Sequence, residues 1–213
     1  MSTPYYKKAR RHLSDNCPVM KQLIARVGPC TLNPTRHEPF TLLVRCVIGQ
    51  QISSKAAQSI FDKLVALVGN ESDGAIPAAE LARLSEADFK SCGISAPKQR
   101  TIRAVLDHVA AHPDLIPSVP DLSDDDLRAR LTAIKGIGPW TVDMLMMFGL
   151  GRPDVWAVGD YGVQVAVKNL FRLRKLPKAD RLTKIARPWQ PHRSVASWYL
   201  WRSLEPQFRD DPK

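Results

Sequence analysis

The chain has 213 residues, 44% of them apolar and 24% charged, which suits one domain or two small ones around a buried core and excludes a disordered polymer. No run of 18 apolar residues occurs and the opening MSTPYYKKARRHL lacks an apolar signal core, so neither a membrane span nor secretion is expected and the chain is expected to work inside the cell. The net charge of +10 favours an anionic partner or a basic solubilising surface. Its position is more telling than its size: Lys168, Arg172, Arg174, Lys175, Lys178, Arg181, Lys184, Arg187 and Arg193 face the single acid Asp180 between them, and Lys7, Lys8, Arg10 and Arg11 open the chain.

Apolar spacing is helical almost throughout. Asp15 is expected to cap a helix with Pro18 in its first turn and Leu23, Ile24 and Val27 on one face, stopped by Gly28. After the loop TLNPTRHEP, Phe40, Leu43, Val44, Val47 and Ile48 repeat at a helical period; GQQISS then turns into a helix capped by Ser53 or Ser54 and closed by Gly69. Residues 70–77 read as a polar loop, followed by short helices near 78–84 and 86–92 and a longer one carrying Ile102, Val105 and Val109. HPDLIPSVPDL is a connector, and Ser123 with Asp126 makes a capping-box variant before a helix ending near Lys135. Further helices are expected from Pro139 to Phe148, over 161–173 and over 193–204; DVWAV is the one stretch with strand character and is too short for a sheet. The expectation is an all-α protein of about ten helices. Cys92-Gly93-Ile94 ahead of one helix faintly echoes Lys135-Gly136-Ile137 ahead of another. Cys17, Cys30, Cys46 and Cys92 are too widely spaced for a metal site and read as reduced thiols.

The most informative segment is Ile134-Lys135-Gly136-Ile137-Gly138-Pro139-Trp140-Thr141. Two glycines one residue apart permit a tight reversal between helices, Pro139 is preset for a first helical turn, and the free N–H groups of a helix start can hold a phosphate. By itself such a turn is equally a plain helix connection. In its surroundings, LTAIKGIGPWTVDMLMMFGLGRPDVWAVGDY resembles the helix-hairpin-helix, Gly/Pro-rich loop and aspartate of the HhH-GPD superfamily of DNA glycosylases. VRCVIGQQISSKAAQSI at 44–60 is similar to that family's helix-break-helix entering the duplex, and RPWQPHRSVASWYLWRSL at 187–204 to the closing segment of its AlkA-type 3-methyladenine glycosylases.

The resemblance implies a fold of two helical subdomains with the active cleft between them: 1–39 as an N-terminal helix and arm packing with the C-terminal helices, 40–160 as the central subdomain with the hairpin, and 161–213 completing the second subdomain. It makes Asp160 the catalytic carboxylate, stabilising charge on the sugar as the base departs; an ordinary N-cap is the plain alternative. Trp140, Met144, Tyr161 and Trp201 are implied to line the base pocket, although tryptophans at helical spacing are also core residues. Met144 stands where the bacterial AlkA pattern has tyrosine, which leaves substrate range less secure than reaction type.

Gln50, Gln51, Ser53, Gly136, Ile137, Gly138, Thr141 and Arg193 are implied to contact DNA, Gln51 at the intercalating position; a polar inter-helix turn is the alternative for the two glutamines. Lysine-bearing relatives cleave the strand through a Schiff base, and Trp140 occupies that lysine's position, so a monofunctional enzyme is expected, acting on double-stranded DNA with alkylated purines such as 3-methyladenine and 7-methylguanine. No cofactor or metal is implied and a monomer suffices. The expected location is the nucleoid-associated cytoplasm in a bacterium or the nucleus in a eukaryote. The competing readings are a uracil or mismatch glycosylase of the same fold and a non-catalytic hairpin module. The run from Lys168 to Arg193 fits phosphate contacts, or a solvated face.

Overall fold

The computed structural model describes residues 3–34, 38–69 and 75–208, so the polar loop expected at 70–77 lies mostly outside the described residues. In chain order the α-helices are α1 (Thr3–Asn16), α2 (Pro18–Val27), α3 (Pro39–Gly49), α4 (Ser54–Val68), α5 (Ala78–Arg83), α6 (Glu86–Cys92), α7 (Ala96–Ala111), α8 (Leu115–Ser118), α9 (Asp124–Thr132), α10 (Pro139–Met144), α11 (Tyr161–Leu170), α12 (Ala179–Ala186) and α13 (Arg193–Arg202). No strand occurs among the described residues; DVWAV is a loop whose Val155, Trp156 and Ala157 are buried. The chain forms two compact units, Met1–Pro34 with Gly151–Lys213, and Thr35–Leu150. The loop 151–160, which the resemblance assigned to the central subdomain, groups with the termini.

In the central unit α3 is buried on nearly every side, with Leu42, Leu43, Val44, Val47 and Ile48 at most 3% exposed, as expected of a helix apolar all round. Burying each such side chain contributes about 2 kcal/mol. Glu38 caps it, its carboxylate accepting from the N–H groups of Phe40 (2.6 Å) and Thr41 (3.0 Å). Helices α4, α7, α8 and α10 pack around it. The caps read from sequence at Ser53 and Ser123 are present: Ser53 Oγ accepts from Ala56 N–H at 3.2 Å and Ser123 Oγ from Asp126 N–H at 3.1 Å. Helix α10 ends in a π turn, Leu145–Gly149.

The terminal unit is built the same way around α13, whose residues Ser194 to Leu200 are all buried against α1, α2 and α11. Here the sequence reading needs two corrections. The basic start is a 14-residue helix rather than an arm. Tyr5, Tyr6, Ala9 and Leu13 form one stripe at helical spacing, with Ala9 and Leu13 fully buried and the Tyr6 hydroxyl donating to the Leu32 carbonyl. Because α1 runs through Asn16, Cys17 rather than Asp15 stands at the start of α2. Periodicity also passed over α12, which lies inside the basic run, and the short α8 inside the proline connector.

Candidate active site

The hairpin joins α9 to α10. Gly136 has φ +92°, and a Cβ there would lie 2.9 Å from Cβ and Cγ2 of Thr101 on α7, so the close approach of turn and helix requires a residue without a side chain. Ile137 is 4% exposed and plugs the turn into the core, leaving Gly138 to start α10 with Pro139 in its first turn. The echo at residues 92–94 has the same local form: Gly93 is left-handed at φ +90° and Ile94 is buried.

Gln50, at the end of α3, donates from Nε2 to the Gly136 carbonyl (3.2 Å) and to Thr141 Oγ1 (3.0 Å). Gln50 and Thr141 were expected among the DNA contacts. In this structure their side chains bond to each other and, through Gln50, to the hairpin, the Thr141 hydroxyl being buried and accepting from the Gln50 amide while Gln50 is half-buried. Gln51 is exposed in the left-handed region at φ +57°, a conformation costing a non-glycine residue about 1 kcal/mol, and is followed by Ile52, 37% exposed, and by Ser53. Ile52, an apolar side chain in a polar turn, was missed by the sequence reading; its place in GQQISS is the signal that could have found it. Within α9 and α10, Arg128 and the buried Asp143 form an ion pair of 3.1 Å, in which burial pushes the Asp143 carboxyl up while Arg128 opposes the shift. Trp140 is half-buried in the first turn of α10 and Met144 is 8% exposed at its end.

In the terminal unit, Asp160 is the N-cap of α11. Its Oδ1 accepts from the Val163 N–H at 2.7 Å and from the Trp201 indole N–H of α13 at 2.9 Å. Cap and pinned carboxylate are therefore one residue, and its position at a helix start places the positive end of the dipole beside it. A Cβ on Gly162 would come 3.1 Å from Asp160 Oδ1 and 3.1 Å from Trp201 Cδ1, so this glycine makes room for the pair. Trp201 holds the carboxylate, a role not foreseen from sequence. Tyr161 is 69% exposed at the same helix start.

The loop carrying Asp160 is stapled to the start of α13. Asp154 takes a bidentate pair from Arg193, with both N···O distances 2.8 Å, and accepts the Arg193 backbone N–H at 3.1 Å. Ser194 Oγ donates to the Arg152 carbonyl at 2.7 Å and accepts from the Val155 N–H at 3.0 Å. Arg193, one of the expected DNA contacts, pairs its guanidinium with Asp154 here and stays part-exposed. His192, just before it, is buried with Tyr5 Oη 3.0 Å from its Nδ1 and the His12 ring 5.2 Å away; burial, then His12 and Lys8, push its pKa down while Asp154 opposes. Seven of the nine basic side chains from Lys168 to Arg193 are exposed, all but Lys168 and Arg193.

Comparison with known proteins places these features. Residues 44–191 match the family model described as HhH-GPD superfamily base excision DNA repair protein, a span that includes the hairpin and Asp160. DNA-3-methyladenine glycosylase 1 of Schizosaccharomyces pombe is 36% identical over 204 residues, 92% of this chain and 86% of that protein. The alkylbase DNA glycosidase-like protein mag2 of the same yeast is 32% identical, over 92% of this chain and 93% of that protein. The solved 3-methyladenine DNA glycosylase Mag1 from that yeast, in complex with abasic DNA, superposes with a TM-score of 0.84 at 32% identity, covering 95% of this chain and all of that one. On this family match over more than half of its length, and on relatives above 30% identical along nearly all of it, the chain belongs to the HhH-GPD superfamily of base excision DNA repair proteins.

Proposed function

We propose that the chain is a monofunctional DNA glycosylase that binds double-stranded DNA and hydrolyses the N-glycosidic bond of alkylated purines such as 3-methyladenine and 7-methylguanine. The observation that carries this reading is the Asp160 carboxylate, held on one oxygen by a helix N–H and an indole N–H. A phosphate-clamping module would need only a helix cap at this position, not a carboxylate held by an indole N–H as well. As the bond to the base breaks, positive charge grows on the sugar, and a prepositioned anion stabilises it without reorganisation. The base leaves with the bonding electron pair, which cancels the formal positive charge that alkylation gave it. A water oxygen then bonds to the anomeric carbon and gives up its proton, to Asp160 or to solvent.

Because such bases are already good leaving groups, stacking against electron-rich faces is sufficient recognition, for which Trp140, Tyr161 and Trp201 are the candidates. Gln51 with Ile52 would fill the gap left by a base rotated out of the stack. Trp140, standing where strand-cleaving relatives are expected to have lysine, provides no amine for a Schiff base. The relatives named glycosylase, and the neighbour bound to abasic DNA, support this reading.

Incubating the protein with methylated genomic DNA and identifying released bases by chromatography tests it. Release of methylated purines, with intact abasic strands and no borohydride-trapped adduct, is expected. The absence of any released base refutes the enzymatic reading, and a trapped adduct refutes the monofunctional one.

A further inference from the structure

We propose that the exposed basic ridge of α12 is a second DNA-contacting surface, separate from the hairpin, which takes the phosphates of one strand of duplex outside the lesion; the inference deepens the glycosylase reading and rests on it for the identity of the polyanion. Lys178, Arg181, Lys184 and Arg187 recur at every third position from the residue before α12 to the one after it, and all four are exposed. The four side chains wind about half a turn round the exposed side of the helix, whose remaining side carries the buried Leu182 and Ala186.

Arginines elsewhere are largely engaged: Arg128 with Asp143, Arg193 with Asp154, Arg202 with Glu205 and Arg103 with the carbonyls of Ala82 and Leu84. None of the four ridge side chains forms an ion pair among the described residues. Like charges three apart on a helix repel one another, and the sole acid of α12, Asp180, complements the helix dipole in the first turn and stands one turn before Lys184 on the same exposed side, so it offsets one of the four positive charges and leaves the ridge at +3. A face that only kept the protein soluble would gain by interleaved acids, whereas a face meeting a polyanion would not.

The dimensions agree with a duplex. Nine helical steps from Lys178 to Arg187 span about 13.5 Å, and one strand of B-form DNA carries a phosphate per about 3.4 Å of axis, so roughly four phosphates lie along that length. Beside the ridge, Arg174, Lys175 and the exposed Leu176 border an open groove of about 550 Å³ that Lys178, Arg181 and Lys184 also line. Extended basic side chains over such a groove follow a sugar–phosphate backbone without reading bases.

The test is equilibrium binding of the full chain to an undamaged duplex across a KCl series, for the native protein and for K178Q/R181Q/K184Q/R187Q, with circular dichroism and melting to verify the fold. Four phosphate contacts contribute about 3.6 to the slope of log affinity against log salt. Tripling the salt should therefore weaken native binding roughly 50-fold more than it weakens the variant. The charge-preserving K178R/R181K/K184R/R187K should keep the native slope. A quadruple glutamine variant with the native slope overturns the proposal, as does displacement of the duplex by polyglutamate at equal charge concentration. Undamaged DNA releases no base, so failure of the glycosylase reading would appear in the excision assay and leave this measurement standing.

Discussion

The carboxylate at position 160 can be separated from the cap at position 160. In Asp160→Asn the amide oxygen still accepts from the Val163 N–H (2.7 Å) and the Trp201 indole (2.9 Å), so the start of α11 keeps its geometry and only the charge is lost. Removing one group that stabilises transition-state charge costs about 100- to 1,000-fold in rate, or roughly 2.7 to 4 kcal/mol at 1.36 kcal/mol per decade. Asp160→Ala removes the cap as well, which costs about 1 kcal/mol of stability and lowers Tm by roughly 2 to 4 °C in a chain of this size. Single-turnover excision from a duplex containing 7-methylguanine, with protein in excess, reads bond cleavage rather than product release. The asparagine variant should cleave at least about 100-fold more slowly while binding the duplex and melting as the native protein does. Native-rate cleavage by Asp160→Asn would refute the reasoning. So would a rate that falls only in the alanine variant and in step with Tm, because the residue would then be a cap alone.

Trp201→Phe keeps a ring of similar stacking capacity and deletes the N–H that reaches Asp160, so it should slow single-turnover excision on the order of 10-fold with little change in duplex affinity; an unchanged rate would reduce Trp201 to a packing residue. Gly162→Ala, which crowds the same pair at 3.1 Å, should slow excision with Tm nearly preserved, and equal rates would show that the pair shifts without consequence. Gly136→Ala forces both a left-handed φ and a clash with Thr101, and should cost on the order of 3 kcal/mol, read as a fall in Tm of roughly 6 to 12 °C; a fall under about 2 °C would contradict the close approach. His192 has its pKa depressed by burial, so the fold favours the neutral ring. The stability this provides is present above about pH 6.5 and is lost as pH falls through the depressed value. Melting curves between pH 7.5 and 5 should fall more steeply for the native chain than for His192→Gln, and parallel curves would show that the ring is not the titrating group.

Much was legible without coordinates, and the reason is local. Caps at Ser53 and Ser123 involve groups three residues apart, and Gly136 and Pro139 announce a reversal because only certain residues adopt those dihedrals. Asp160 as the cap of α11 belongs to the same class, since its acceptor and the Val163 N–H are three residues apart. Even the start of α1 was readable in principle from Tyr5, Tyr6, Ala9 and Leu13, but the basic residues between them masked the stripe. The basic run from Lys168 to Arg193 hid α12 in the same way, because Leu182 and Ala186 are the only buried positions on that helix.

What packing alone decided are the pairings between distant residues. The sequence reading took Gln50 and Arg193 as DNA contacts and carried no sign of their partners within the protein. Only the approach of α3 to a turn 86 residues away pairs Gln50 with Gly136, and only the meeting of α13 with the loop before α11 pairs Arg193 with Asp154. The indole that fixes Asp160 lies 41 residues along the chain, on a helix buried on nearly all sides. Hydrogen bonds within a turn depend on dihedrals that neighbouring residues set, so the order of residues is enough to determine them. Those between helices depend on where each helix buries its apolar face, and that is determined only when all the faces are packed together.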